Sequence, residues 1–287
     1  MDRDVLSLIS KDIKRFSKGQ RLISEYILEN YDKAAFMTAG KLGKTVGVSE
    51  STVVRFAAKL GYDGYPGMRR ALQDMIRNRL TSVQRIEVSR DLIDDKNILD
   101  DVLHADMSRM QLTFALTDKE VFDRAVEIIL ESKHIYIAGT RSAASLASFM
   151  AFYLNLIMEN VHLVSDTAQN EVFDKIFRIG EQDLFIGISY PRYSSRTLNA
   201  MKFAKSAGAK VMGITDGESS PFIGIADVNL FANSGMVSFL DSLVAPLSLI
   251  NALIVSVGIR SSETLSDTFR RLEGIWSEYE VYENTGE

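Results

Sequence analysis

Residues 46–65 read VGVSESTVVRFAAKLGYDGY, with few acids, several small hydroxyl side chains, and Arg55 and Lys59 four residues apart. Hydroxyls and a guanidinium gathered at the start of a helix can donate to phosphate oxygens and to base edges in a DNA groove. Ser49, Glu50, Ser51, Thr52 and Arg55 are the candidates for that contact. Lys41, Lys44 and Lys59, with Arg69 and Arg70 beyond, can neutralise backbone phosphates. The competing reading is a packed corner between two helices, a common arrangement in all-α proteins.

A second group of hydroxyls is spread over three segments further on. GTRSAAS holds Ser142 and Ser145, SYPRYSSRT holds Ser189, Tyr190, Ser194, Ser195 and Thr197, and TDGESSPF holds Thr215, Asp216, Ser219 and Ser220. Each serine by itself reads as a helix cap. Ser142, Ser194, Ser195 and Thr197 together, at the starts of two helices and near Arg192 and Arg196, read as a place to bind an anion.

Proton-transfer chemistry finds little support. An aldose–ketose isomerase needs a base beside the bound sugar, and usually an acid that opens the ring. His104, His134 and His162 are scattered, two of them at the wrong ends of predicted strands. Glu171, entering a helix after the second predicted strand, is the best candidate base, and it reads equally as an acid in a helix's first turn. No metal-ligand spacing and no Walker-type loop is present, so neither a metal nor a cofactor is expected.

These residues need elements to position them. The spacing predicts a helix over 17–31 capped by Ser17, and a second from Thr38 to about Thr45 ended by a left-handed Gly47. A third is capped by Ser49 and closed by Gly61. Leu42, Val46, Val48, Val53 and Phe56 would bury the inner faces, giving a helix-turn-helix with Glu50, Ser51, Thr52 and Arg55 turned outward. Tyr62 and Tyr65 are expected to pack. After a charged stretch over 81–105 and a long amphipathic helix over about 97–116, the period changes. HIYIAG, VHLV, DLFIGIS, AKVMGIT and DVNLF are five short apolar runs separated mostly by helical segments. They predict a five-stranded parallel sheet in an α/β three-layer sandwich, with binding loops at the strands' carboxyl ends.

The 287 residues suffice for about two domains. The partition expected is a helix-turn-helix domain over 1–80, a linker over 81–105 and an α/β domain over 106–287. Residues 1–86 hold 16 Lys/Arg against 9 Asp/Glu, a net +7, and the remainder carries −12, so the first part is the one suited to a polyanion. The absence of cysteine excludes disulfides and fits a reducing, cytoplasmic setting. No secretory signal or membrane partner is expected: residues 239–257, the most apolar stretch, include Asp241, Pro246 and Asn251 and read as a buried helix.

GVSESTVVRFAAKLGYDGYPGMRRAL closely resembles the N-terminal domain of the RpiR/MurR family of bacterial transcriptional regulators, near-continuously over residues 38–72. One departure is Gly43, where that family more often has alanine, a change that by propensity weakens the helix slightly. Residues 105–270 resemble the sugar-isomerase-like (SIS) fold. The resemblance implies that two Ser/Thr-rich loops hold the phosphate of a sugar phosphate, so that Ser142, Ser189, Tyr190, Ser194, Ser195 and Thr197 are the ligand contacts. Arg141 replaces the second glycine of the family's first loop, and SYPRYSSRT is longer than its second. The implied protein is a homodimer or tetramer on a double-stranded DNA operator, with affinity set by a small phosphorylated sugar, and not an enzyme. The alternative is a phosphosugar isomerase or lyase with an appended nucleic-acid-binding domain.

Overall fold

The computed structural model describes residues 5–77, 81, 83–86, 97–164, 171–235 and 240–282. The chain divides into two compact units, 1–103 with 236–241, and 104–235 with 242–287.

The first unit is helical: α1 Val5–Asp12, a 3-10 turn Ile13–Arg15, α2 Lys18–Glu29, α3 Tyr31–Ala34, α4 Ala39–Val46, α5 Glu50–Lys59 and α6 Gly64–Arg77. The starts of α2, α4 and α5 are closed by the expected side chains. Ser17 and Gln20 form a reciprocal capping box on α2, the Thr38 hydroxyl accepts from Lys41 N–H at 3.2 Å, and Ser49 accepts from Thr52 N–H at 3.3 Å. Gly47, at φ +77°, supplies the left-handed residue between α4 and α5. Ile23, Ile27, Leu42, Val53, Phe56, Met68 and Leu72 are fully buried, and Phe16 meets Phe56 edge to face at 5.3 Å. Each such side chain contributes about 1.5–3 kcal/mol of burial. Tyr65 packs as expected, its hydroxyl donating to the Met37 carbonyl at 2.9 Å.

Gly43 has a reason beyond propensity. A methyl group at this position would lie 2.8 Å from the Val48 carbonyl oxygen and 3.3 Å from Glu50 N. The glycine lets α4 pass directly over the turn, whose Val48 N–H donates to Gly43 O at 2.8 Å. The small loss in helix propensity is the cost of bringing α4 and α5 this close.

The second unit begins within α7 Ile98–Leu116, followed by α8 Lys119–Glu131, β1 Ile135–Gly139, α9 Ser142–Ile157 and β2 Val161–Val164. Next come α10 Glu171–Ile176, β3 Leu184–Ile188, α11 Ser195–Ser206, β4 Lys210–Thr215, β5 Val228–Phe231, α12 Val244–Arg260 and α13 Ser262–Glu278. The strands form one all-parallel sheet in the order β2-β1-β3-β4-β5. Side chains alternate between two cores, as period-2 strands covered on both faces require. Ile135, Ile137, Ile186, Met212 and Ile214 join α8, α9 and α12, whereas Tyr136, Ala138, Phe185 and Val211 join α10 and α11. The result is the three-layer sandwich. The apolar stripe of α7, at Leu99, Leu103, Met107, Met110 and Phe114, is exposed, and Thr113 is the helix's buried residue. No single helix among the described residues is long and apolar enough to cross a membrane. The pair α12 and α13 passes that test only together, bent by 96°, and α12 buries Leu249, Ile250, Leu253 and Val257 in the core.

The strand order has its switch point between β1 and β3. The chain leaves β1 through α9 on one face and leaves β3 through α11 on the other. The two loops therefore part at the carboxyl edge of the sheet and open a crevice there.

Candidate functional site

In the helical unit, Glu50, Ser51 and Arg55 are exposed and Thr52 is half-buried, while Val53 and Phe56 hold the helix from beneath. The outward hydroxyls form one cluster: Ser49 Oγ lies 3.0 Å from Ser51 Oγ and 2.8 Å from Thr52 Oγ1. Arg55 Nε donates to the Ser51 carbonyl at 3.2 Å, which fixes the guanidinium along the helix face. Lys41, Lys44 and Arg70 are exposed and Arg69 is half-buried.

Lys59 is engaged within its own domain. Its ammonium donates to the Arg15 carbonyl at 3.1 Å and to Gln20 Oε1 at 3.2 Å, and sits over the Phe16 ring at 5.3 Å. It ties the end of α5 to the start of α2. Sequence could not show this, because the partners are 39 and 44 residues away.

In the α/β unit, the register pairs Gly139 with Ile188, which sets the loops after β1 and β3 side by side. A methyl at Gly139 would lie 2.4 Å from the Ala143 carbonyl oxygen, so the turn into α9 folds tightly over the strand end. Arg141 precedes α9 with φ +56°, and Arg192, in the other loop, has φ +68°. These are conformations an L-residue adopts at a cost of about 1–3 kcal/mol. Arg141 thus stands where a glycine would fit without strain. Ser142, in the first turn of α9, is exposed.

The loop after β3 organises itself. Ser194 N–H donates to Ser189 Oγ at 3.0 Å, and Ser194 Oγ accepts from Thr197 N–H at 3.3 Å as the cap of α11. Ser189 and Thr197 are buried, Ser194 is half-buried, and Ser195 is exposed. Two buried hydroxyls, Thr197 Oγ1 and Tyr190 OH, have no hydrogen-bond partner among the described residues. Burial, reinforced by the Asp216 carboxylate, pushes the Tyr190 hydroxyl well above its ordinary pKa, so it stays a neutral donor.

A contact not anticipated joins this loop to the next strand. Tyr193 OH donates to Asp216 Oδ1 at 2.8 Å, and Thr215 Oγ1 donates to the same oxygen at 3.2 Å. Thr215 and Ser220 are buried with their hydroxyls 2.9 Å apart, so these two brace the loop after β4 instead of lining an open cleft. The only hint in sequence was the position of each residue just past a predicted strand.

His134 Nδ1 and His162 Nε2 are 3.3 Å apart at the amino ends of the strands, away from this crevice. Burial, with His134 adding to it, holds the His162 pKa below its ordinary value. Glu171 opens α10, and its side chain lies outside the described residues. Among the described residues, no group of three or more His, Asp or Glu is placed to hold a metal ion.

The fold and these loops define a two-part architecture, a helix-turn-helix followed by a parallel α/β unit with hydroxyl-rich turns at its switch point. Residues 3–79 match the helix-turn-helix domain, rpiR family, and residues 128–256 match the SIS domain. The chain belongs to the rpiR family of helix-turn-helix proteins that carry a SIS domain. It is similar to the HTH-type transcriptional regulator HexR of Pseudomonas aeruginosa, 23% identical over 278 residues that cover 94% of this chain and 95% of the relative. Among solved structures it resembles the sugar isomerase domain of an RpiR transcription factor from Sphaerobacter thermophilus. There the identity is 26% and the TM-score 0.56, covering 60% of this chain and 96% of that one. It also resembles the Vibrio vulnificus NanR protein complexed with ManNAc-6P, with 22% identity, TM-score 0.57, and 96% and 98% of the two chains covered.

Proposed function

We propose that this protein is a DNA-binding transcriptional regulator whose SIS domain senses a small phosphorylated sugar. The observation that carries the reading is the outward Ser49–Arg55 face of α5, set on a buried helical core in the same chain as a SIS domain. The named relatives are regulators, and the NanR structure holds a sugar phosphate, which supports both halves. In this reading Ser49, Glu50, Ser51, Thr52 and Arg55 enter the major groove, and Lys41 and Lys44 meet phosphates. Lys59 acts as an internal tie. Ser142, Ser189, Tyr190, Ser194, Ser195 and Thr197 surround the effector's phosphate, with Thr197 Oγ1 and Tyr190 OH as the donors still to be satisfied. The SIS domain is a sensor and not a catalyst. The DNA-binding domain spans 1–80, the linker 81–105 and the sensor 106–287, and the protein works in the cytoplasm.

The protein acts as a homodimer or tetramer on a two-fold symmetric operator, the default for closed oligomers. Helix α13 is amphipathic yet buries none of its residues, Ile259 of α12 is 70% exposed, and the α7 stripe is uncovered. These apolar surfaces are what a second copy would cover. Effector at the switch point alters how two copies pack, and so the spacing of their two recognition helices. A coupling of this kind is typically worth about 1–3 kcal/mol.

The test is fluorescence anisotropy with duplexes selected from a random library, with and without a panel of hexose and hexosamine phosphates. The expected result is tight, salt-dependent binding that one of these compounds shifts. A protein indifferent to duplex DNA at low salt ends this reading. Turnover of a sugar phosphate that Glu171→Gln abolishes would replace the sensor with an isomerase.

A further inference from the structure

The first turn of α2 lies against the start of α5. A methyl at Gly19 would sit 3.4 Å from Thr52 Cγ2 and 3.5 Å from Val48 Cγ1. The first turn of α4 approaches α5 from elsewhere: a methyl at Gly40 would sit 3.2 Å from Glu50 Oε2. Residues 50 and 52 point about 200° apart around a helix. The exposed start of α5 is therefore flanked by α2 beside Thr52 and by α4 beside Glu50.

Each flanking turn presents a lysine to solvent, Lys18 from α2 and Lys41 from α4, with Lys44 close behind Lys41. Lys59 is committed to Arg15 and Gln20, whereas the Lys18 ammonium makes no hydrogen bond or ion pair among the described residues. Gly19 beside it is not demanded by the fold. The space a methyl would occupy there offers only ordinary van der Waals contact, and the backbone is helical. A bare backbone next to a free ammonium is what close approach of a second backbone requires.

We propose that Lys18, with the low surface at Gly19, contacts the DNA strand opposite the one met by Lys41 and Lys44. The proposal rests on the DNA-binding reading above and extends it to the full width of the groove. A major groove about 12 Å wide takes one helix and places a phosphate backbone along each of its sides. With α5 in the groove, α4 stands over one backbone and α2 over the other. Lys18 would then add affinity to any sequence without choosing among bases.

The experiment titrates the full-length protein into a fluorescein-labelled random-sequence duplex across about 50 to 200 mM salt, comparing wild type with Lys18→Ala, Lys18→Glu and Lys18→Arg. Lys18→Ala should weaken binding roughly three- to tenfold and lower the log–log salt slope by about one for each DNA-bound protomer. Lys18→Glu should weaken it further, and Lys18→Arg should restore it. Hydroxyl-radical footprints of Lys18→Ala on a selected duplex should lose protection on one strand of each half-site. Wild-type binding together with an Lys18→Ala affinity and slope equal to wild type overturns the proposal and leaves the DNA-binding reading standing. A wild type that ignores the duplex overturns both. Lys18 is exposed, so unchanged circular dichroism is expected for all three variants; if one nevertheless misfolds, the remaining two decide.

Discussion

Tyr193 donates its hydroxyl to Asp216 across 2.8 Å, which joins the loop after β3 to the end of β4. The loop that Tyr193 stabilises also carries Ser189, Ser194 and Thr197. Tyr193→Phe keeps the ring and removes the tie. It should weaken effector binding by up to about tenfold, in line with the ~0.5–1.5 kcal/mol of one hydrogen bond. DNA affinity without effector should stay as it is. Calorimetric titration with the responsive sugar phosphate checks the first outcome and anisotropy the second.

Thr197→Val separates ligand recognition from stability. The Thr197 hydroxyl is buried without a partner among the described residues, so exchanging it for a methyl should leave the unfolding free energy unchanged or raise it slightly. The same exchange should remove the thermal shift produced by the effector. A stability loss above about 1 kcal/mol, with the effector response intact, would mean that the hydroxyl serves the fold.

Arg141→Gly should relieve backbone strain. With φ at +56°, glycine should stabilise the α/β unit by roughly 1 kcal/mol in urea unfolding. If the strain is maintained to present the guanidinium to the ligand's anionic group, effector affinity should fall in the same variant.

Gly43→Ala reverses the usual rule. Propensity alone favours alanine by about 1 kcal/mol. The 2.8 Å approach to the Val48 carbonyl should outweigh this and leave a net loss of about 1–3 kcal/mol, read from chemical unfolding of the full chain.

Arg55→Ala and Lys59→Ala should fail in different ways. Arg55→Ala should weaken specific DNA binding by about 1–3 kcal/mol at unchanged stability. Lys59→Ala should lower stability by up to about 1 kcal/mol, because the contacts it loses are solvent-exposed, and should leave the salt slope of DNA binding unaltered. A reduced salt slope for Lys59→Ala would show that its ammonium leaves Arg15 for a phosphate.

Local physics made most of the architecture legible. Ser17, Thr38 and Ser49 cap helices because short hydroxyl side chains reach the first free N–H groups, and this is encoded within four residues. Gly47 ends a helix because it alone takes a positive φ without strain. The five strands are short apolar runs because both faces of a parallel sheet are covered. The same local chemistry put Ser194 at a helix start, where it is a cap.

What sequence left open depends on contacts between distant residues. Lys59 reads as a free surface cation until the tertiary structure sets it against Arg15 and Gln20. Gly43 reads as a weak helix former until the turn at Val48 passes within reach. Asp216 and Tyr193, 23 residues apart, meet only because β3 and β4 lie side by side. Periodicity and capping are properties of a few consecutive residues, so the chain alone determined the capped helices α2, α4 and α5, the five strands and the basic charge of the first part. Which hydroxyls and ammonium groups stay available to a partner depends on packing across long separations, and only the folded structure decided that.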